Sequence, residues 1–210
     1  MERRNFIKTS AVVTGTLVAG IVPAMAMQDA SKKELYELRI YELRWSQGPL
    51  DDYLKNALIP ALNRLGVKNV GAFSELGKSE PAKIYLLIPY ASFESFGKIA
   101  LSLREDSTFA KASEKYNTIP YENAVFSRYE SSLLLAFEGI PKIVLPQPGS
   151  RVFELRTYEG YSEDAVTRKV RMFNQGELDI FEKTKLNAVF FGEMMAGKNL
   201  PCLTYMLAFK

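Results

Sequence analysis

Two stretches of the chain alternate apolar and polar residues with a period of two, and they are nearly the same stretch. Residues 36–42 read YELRIYE and residues 153–159 read FELRTYE. In the first, Tyr36, Leu38 and Ile40 make one face and Glu37, Arg39 and Tyr41 the other, the pattern of a half-buried β-strand. Gly48-Pro49 ends the alternation. Leu50, Tyr53, Leu54, Ala57, Leu58, Ala61, Leu62 and Leu65 then recur at helical spacing, with Gly66 as the stop. Pro60 falls inside this pattern and should kink or divide the helix, because it has no N–H to donate and crowds the preceding turn. Residues 68–76 and 83–89 read as a second and third strand around the turn at 77–81. Ser92 caps a helix reaching about Leu103, Asp106 opens a shorter one ending near Tyr116, and Asn123 to Ala136 makes a fourth, long strand.

This order, β-α-β-β-α-β, is the split ferredoxin-like unit. The second alternating stretch begins the same order again: a helix from about Ser162 to Lys185, a strand Ala188 to Met195, and a strand Cys202 to Phe209. Gly77-x-x-x-Pro81-x-x-x-Tyr85 matches Gly197-x-x-x-Pro201-x-x-x-Tyr205, so the chain is an internal duplication. The expected layout is residues 34–138 as a first unit, 139–150 as a Pro/Gly linker, and 151–210 as a second unit truncated after its third strand. The sheet of that second unit is expected to lack an edge strand, leaving backbone donors unpaired unless a partner covers them. The fold class is α+β.

Composition narrows the chemistry. There is no histidine, which excludes Ser-His-Asp triads, His-ligated metals and haem held by a His. Cys202 is alone and lies in an apolar run, so no intramolecular disulfide or Cys-cluster metal site forms, and a buried hydrophobic role suits it. No metal site and no cofactor is called for by the sequence, and no catalytic residue can be assigned. The first 26 residues read as an address. Arg3, Arg4 and Lys8 form a charged start, and Ala11 to Val22 an apolar run too short to anchor in a membrane. Ala24-Met25-Ala26 fits cleavage between Ala26 and Met27. Without them, 24 basic groups face 23 acidic ones, a balance that lacks the basic footprint of a nucleic-acid binder.

Arg3-Arg4-Asn5-Phe6-Ile7-Lys8 resembles the twin-arginine export signal, with Arg3, Arg4, Phe6 and Lys8 carrying the match. The resemblance implies the export machinery as a partner, a periplasmic address, and no membrane anchor after cleavage. The region from residue 35 to 210 resembles the NIPSNAP family. An E-L-R-x-Y strand opens both copies, a G-x-x-x-P turn precedes each aliphatic third strand, and Asp106-x-x-Phe109 stands where relatives often write D-P-x-[FW]. Ser107 replaces the usual Pro. The resemblance implies a dimeric α+β barrel, two ferredoxin-like sheets packed face to face, here from one chain. It implies no particular reaction.

If Tyr36, Leu38 and Ile40 pack under the helices, then Glu37, Arg39 and Tyr41, with Glu154, Arg156 and Tyr158, form a polar cluster between the sheets. Such a cluster can bind a small polar or anionic molecule, with Arg steadying a carboxylate or enolate and Tyr donating a proton. Each Glu can equally pair with an Arg and only fix the architecture. Trp45, Tyr53 and Phe73 are pocket-lining candidates, and Met194-Met195 an adaptable contact surface. Glu75 and Glu193 are a candidate carboxylate pair, and Arg128 and Glu130 a solvated or paired face. Three readings follow: an exported binding protein for a small molecule, an interaction module completed by oligomerisation (a homo-oligomer included), and a cofactor-independent isomerase or monooxygenase-like enzyme using Glu, Arg and Tyr.

Overall fold

A computed structural model describes residues 33–77, 79–149 and 152–209. The twin-arginine and cleavage residues, Arg3, Arg4, Phe6, Lys8, Ala26 and Met27, lie outside the described residues. Strand β1 (Leu35–Leu43) leads into α1 (Gly48–Tyr53), a π-helical turn (Leu54–Leu58) and α2 (Ile59–Arg64). Pro60 sits in the first turn of α2, where its missing N–H costs nothing, and the wider π turn before it absorbs the break. Next come β2 (Gly71–Ser74), β3 (Lys83–Tyr90), α3 (Phe93–Glu105) and α4 (Ser107–Asn117). Ser92 and Ser95 close a reciprocal capping box on α3, and Asp106 caps α4 through the Phe109 N–H. Strand β4 (Phe126–Ala136) completes the first unit. The second holds β5 (Val152–Glu159), α5 (Glu163–Met172), another π turn (Phe173–Glu177), α6 (Leu178–Lys183), β6 (Asn187–Ala196) and β7 (Cys202–Phe209).

The strands form one seven-stranded sheet in the order β2-β3-β1-β4-β6-β7-β5, antiparallel at every junction. The first four are the ferredoxin-like order. The last three repeat it without a counterpart of β4, and among the described residues β5 has a strand neighbour on one side only. The expected pair of sheets is therefore one curled sheet, joined where Leu133–Ala136 of β4 meets Gly192–Ala196 of β6. Gly192 lets that junction close: a Cβ there meets the Leu134 Cβ at 2.7 Å.

Curling places three cores in series. On the concave side Tyr36, Leu38 and Leu87 of the first unit pack on Phe190, Met206 and Ala208 of the second. On the convex side, helices of the first unit cover Leu35, Tyr41, Ile84 and Leu86, and α5 and the π turn after it cover Leu203, Tyr205 and Leu207. The duplicated turns both carry a cis X–Pro bond, at Pro81 and Pro201. The tyrosines that follow them do not correspond in space. Tyr85 stands opposite Ile40, whereas Tyr205 stands opposite Arg156, a one-residue difference in register that puts the two rings on opposite faces of the sheet.

Candidate functional site

The alternation of β1 resolves in the sense opposite to the one expected. Tyr36 and Leu38 line the concave inter-unit core with Ile40 against them, and Tyr41 packs under the helices of its own unit. Glu37 and Arg39, in phase with Tyr41, share that convex face. The second copy does the same, with Phe153 and Leu155 on the concave core and Tyr158 against Phe173. The polar residues do not form an inter-sheet cluster. The reason is energetic: Tyr36, Leu38 and Ile40 offer the larger apolar surface, and the contact between units is where both sides can be buried at once. The two polar triplets make their contacts within their own units.

Glu37 is 3% exposed. Arg39 holds it through two bonds, Nε to Oε1 at 2.5 Å and Nη2 to Oε2 at 3.0 Å. The Ser131 hydroxyl donates to Oε1 at 2.7 Å and the Tyr90 hydroxyl to Oε2 at 3.0 Å. Four donors thus engage a carboxylate with about four acceptor sites. Burial raises the Tyr90 phenol above its ordinary value, and the Glu37 charge adds to the rise, so it stays a donor. Burial works against the Arg39 charge, but Glu37 more than offsets it and the guanidinium pKa is raised.

Around Arg39 stand phenols. Tyr41 lies within its hydrogen-bonding reach. Tyr41 packs on Phe126 and Tyr129, and Tyr53 stacks on Tyr116 with ring centroids 4.0 Å apart. Burial lifts the Tyr41 and Tyr116 phenols and pushes Tyr53 up to about 12, while the Arg39 charge opposes the rise in each. Tyr53 and Tyr116 also line a cavity of about 610 Å³ between α1 and α4, with Asn56, Asn123 and an Asp52–Lys115 pair 3.7 Å apart. Among the described residues, no protein group accepts a hydrogen bond from the Tyr53, Tyr116 or Tyr129 hydroxyls. The cavity thus joins two phenol donors to an Asp–Lys pair and two amides, and half-buried Arg39, whose carboxylate partner is already saturated, acts on those phenols through its charge.

The second copy repeats the fork and little else. Arg156 grips Glu154 at 2.8 Å through both Nε and Nη2, but the side chains remain 38% and 47% exposed. Arg156 Nη1 donates to the Tyr205 hydroxyl at 3.3 Å, which donates in turn to the Tyr158 hydroxyl at 3.1 Å. Lys169 lies over the Tyr158 and Phe173 rings.

The remaining candidates scatter. Trp45 is exposed beside Arg44, Tyr53 lines the cavity, and Phe73 lies on the concave side against Phe153. Glu75 accepts from Ser79 and, at 2.9 Å, from Tyr85, while Glu193 lines a separate cavity with Val166 and Cys202, so the two are no carboxylate pair. Met194 packs into the concave core and Met195 is exposed. Glu130 bonds Lys198, Arg128 bonds the Ser127 carbonyl, and Cys202 is buried. The sequence reading missed Tyr90, Ser131, Tyr116 and Tyr129, which meet Arg39 and Glu37 only through tertiary contacts.

No family model and none of the curated proteins matches the chain. Solved structures do. A protein from Fusobacterium nucleatum, provisionally named a monooxygenase, superposes with a TM-score of 0.52 at 10% identity, covering 85% of this chain and 76% of that one. Another bearing the same provisional name, from Lactobacillus acidophilus, gives 0.53 at 8% identity over 84% of this chain and 77% of that one. Strand order and these neighbours define the class: an α+β protein of ferredoxin-like units on a curled antiparallel sheet.

Proposed function

We propose that the cavity lined by Tyr53 and Tyr116 binds a small organic anion, an aromatic or unsaturated carboxylate or enolate. One observation carries the reading. Arg39 is a half-buried guanidinium whose carboxylate partner has no acceptor site to spare, and its charge acts on Tyr53 and Tyr116, which line a cavity. Phenols are protonated at neutral pH and burial raises Tyr53 and Tyr116 further, so the walls offer donors to an acceptor-rich ligand. Glu37 orients Arg39 and does not serve as a base, because an incoming proton would have to displace a donor it already holds. The provisional monooxygenase names of the two neighbours are compatible with a small-molecule ligand.

The test compares benzoate with benzamide, of similar shape but neutral, on the full chain. Benzoate should bind more tightly, and Tyr53→Phe and Tyr116→Phe should each weaken it without lowering the melting temperature. Equal affinity for both probes, or tyrosine variants that leave benzoate binding untouched, would sink the proposal. The resemblances of the sequence extend it: a NIPSNAP-type protein exported in folded form and cut after Ala26. Mass measurement of the exported protein should find Met27 first, and Arg3→Lys with Arg4→Lys should hold it in the cytoplasm.

A further inference from the structure

Among the described residues the sheet has an unfilled place at its other end. Because every junction is antiparallel, β2 and β5, at the two edges, run in the same direction. They cannot pair with each other as the rest of the sheet does. One strand running against both can join them. The curl brings these edges together, for Phe73 of β2 and Phe153 of β5 meet edge to face with centroids 4.9 Å apart. Beside them lies a cavity of about 770 Å³, lined by Ala72 to Leu76, Val152, Phe153, Leu155 and Met206.

The first unit shows what such a gap holds. There β4 lies between β1 and β6, pairing with both, and Tyr36 of β1 reaches Phe190 of β6 across it with centroids 5.1 Å apart. An aromatic contact of nearly the same length therefore spans one strand at the filled junction and spans none at the open one. The open seam thus matches the filled junction in this cross-contact. A second mark agrees. Glu37 takes a hydroxyl from Ser131 of β4, which stands opposite Arg39. Glu154, in the equivalent fork, receives only Arg156 among the described residues, and its side chain is 47% exposed.

We infer that the seam between β2 and β5 accepts one extended segment of a partner polypeptide as an eighth strand. The segment runs antiparallel to both edges. It carries Ser or Thr opposite Arg156, donating to Glu154, and an apolar residue opposite Phe153, as Leu134 stands opposite Tyr36. Main-chain ladder bonds give it affinity and the alternating side chains give it selectivity, the logic of β-strand addition. A small amphiphile seated in the cavity is the competing occupant.

A peptide with the sequence of residues 126–136, added to the full chain, is the probe. Saturating peptide should slow amide hydrogen exchange in both 152–159 and 71–74. The same peptide with S131P and S132P should bind about tenfold more weakly or worse, since it loses ladder donors, and with S131A moderately more weakly. Unchanged exchange in β5 at saturation overturns the inference. So does equal binding of the proline peptide, which would mark the seam as a groove for apolar chains of any backbone.

Discussion

The chain makes one ion-paired fork twice and buries it once. Glu37–Arg39 and Glu154–Arg156 share sequence, strand position and two-point geometry. The first lies under two helical segments and beside β4. The second has a single helical segment over it and, among the described residues, no strand beyond β5. Cover, not sequence, decides what a fork does. A buried fork must be satisfied completely, because unpaired charge in a low dielectric is costly, and Ser131 and Tyr90 supply the remaining donors. An exposed fork is solvated and worth little. Both arginines have phenols nearby, but only the covered copy has Tyr53 and Tyr116 beside a cavity.

The comparison breaks most sharply at the arginines. Arg39→Gln leaves Glu37 buried without its cation and should cost about 3–5 kcal/mol, read by denaturant unfolding, while Arg156→Gln should leave the midpoint essentially unchanged. Equal losses would mean that cover makes no difference. Tyr90→Phe removes one charge-assisted bond to Glu37 and should cost about 1.5–3 kcal/mol, against a much smaller loss for Tyr205→Phe. At the filled junction, Gly192→Ala drives a methyl into Leu134 and should cost about 1–3 kcal/mol. Gly48, whose added Cβ meets nothing within 4 Å, should tolerate the same change. The smallest effect is alkaline. Tyr53 has its folded pKa raised above the unfolded value of 10.0 to about 12. Its contribution to stability is thus complete below pH 10 and lost as pH climbs through 12, which phenolate absorbance and the unfolding midpoint should both follow.

Much of the fold was legible. Period-two alternation located β1 and β5, Ser92 and Asp106 marked real caps, and Pro60 marked a real irregularity that the chain resolves with a π turn. The second strand was read too long, since only Gly71–Ser74 pairs with β3. The facing of β1 was read backwards, because alternation says that a strand has two faces and not which one meets the partner unit. The Tyr85–Tyr205 match misled in the same way, as a one-residue register difference is invisible in spacing. The candidate site was half legible. Glu37, Arg39 and Tyr41 were in the motif, but Tyr90, Ser131 and Tyr116 lie 53, 94 and 79 residues from Glu37 in the chain and carry no local mark.

By itself the sequence determined the duplication, the order of elements and the intrastrand Glu–Arg forks, all properties carried by neighbours along the chain. Tertiary structure alone decided which fork is buried, which phenols gather round its arginine, and that the two free edges face each other. Those depend on register and curl, which arise from the summed burial of apolar surface over the whole sheet and are written at no single position.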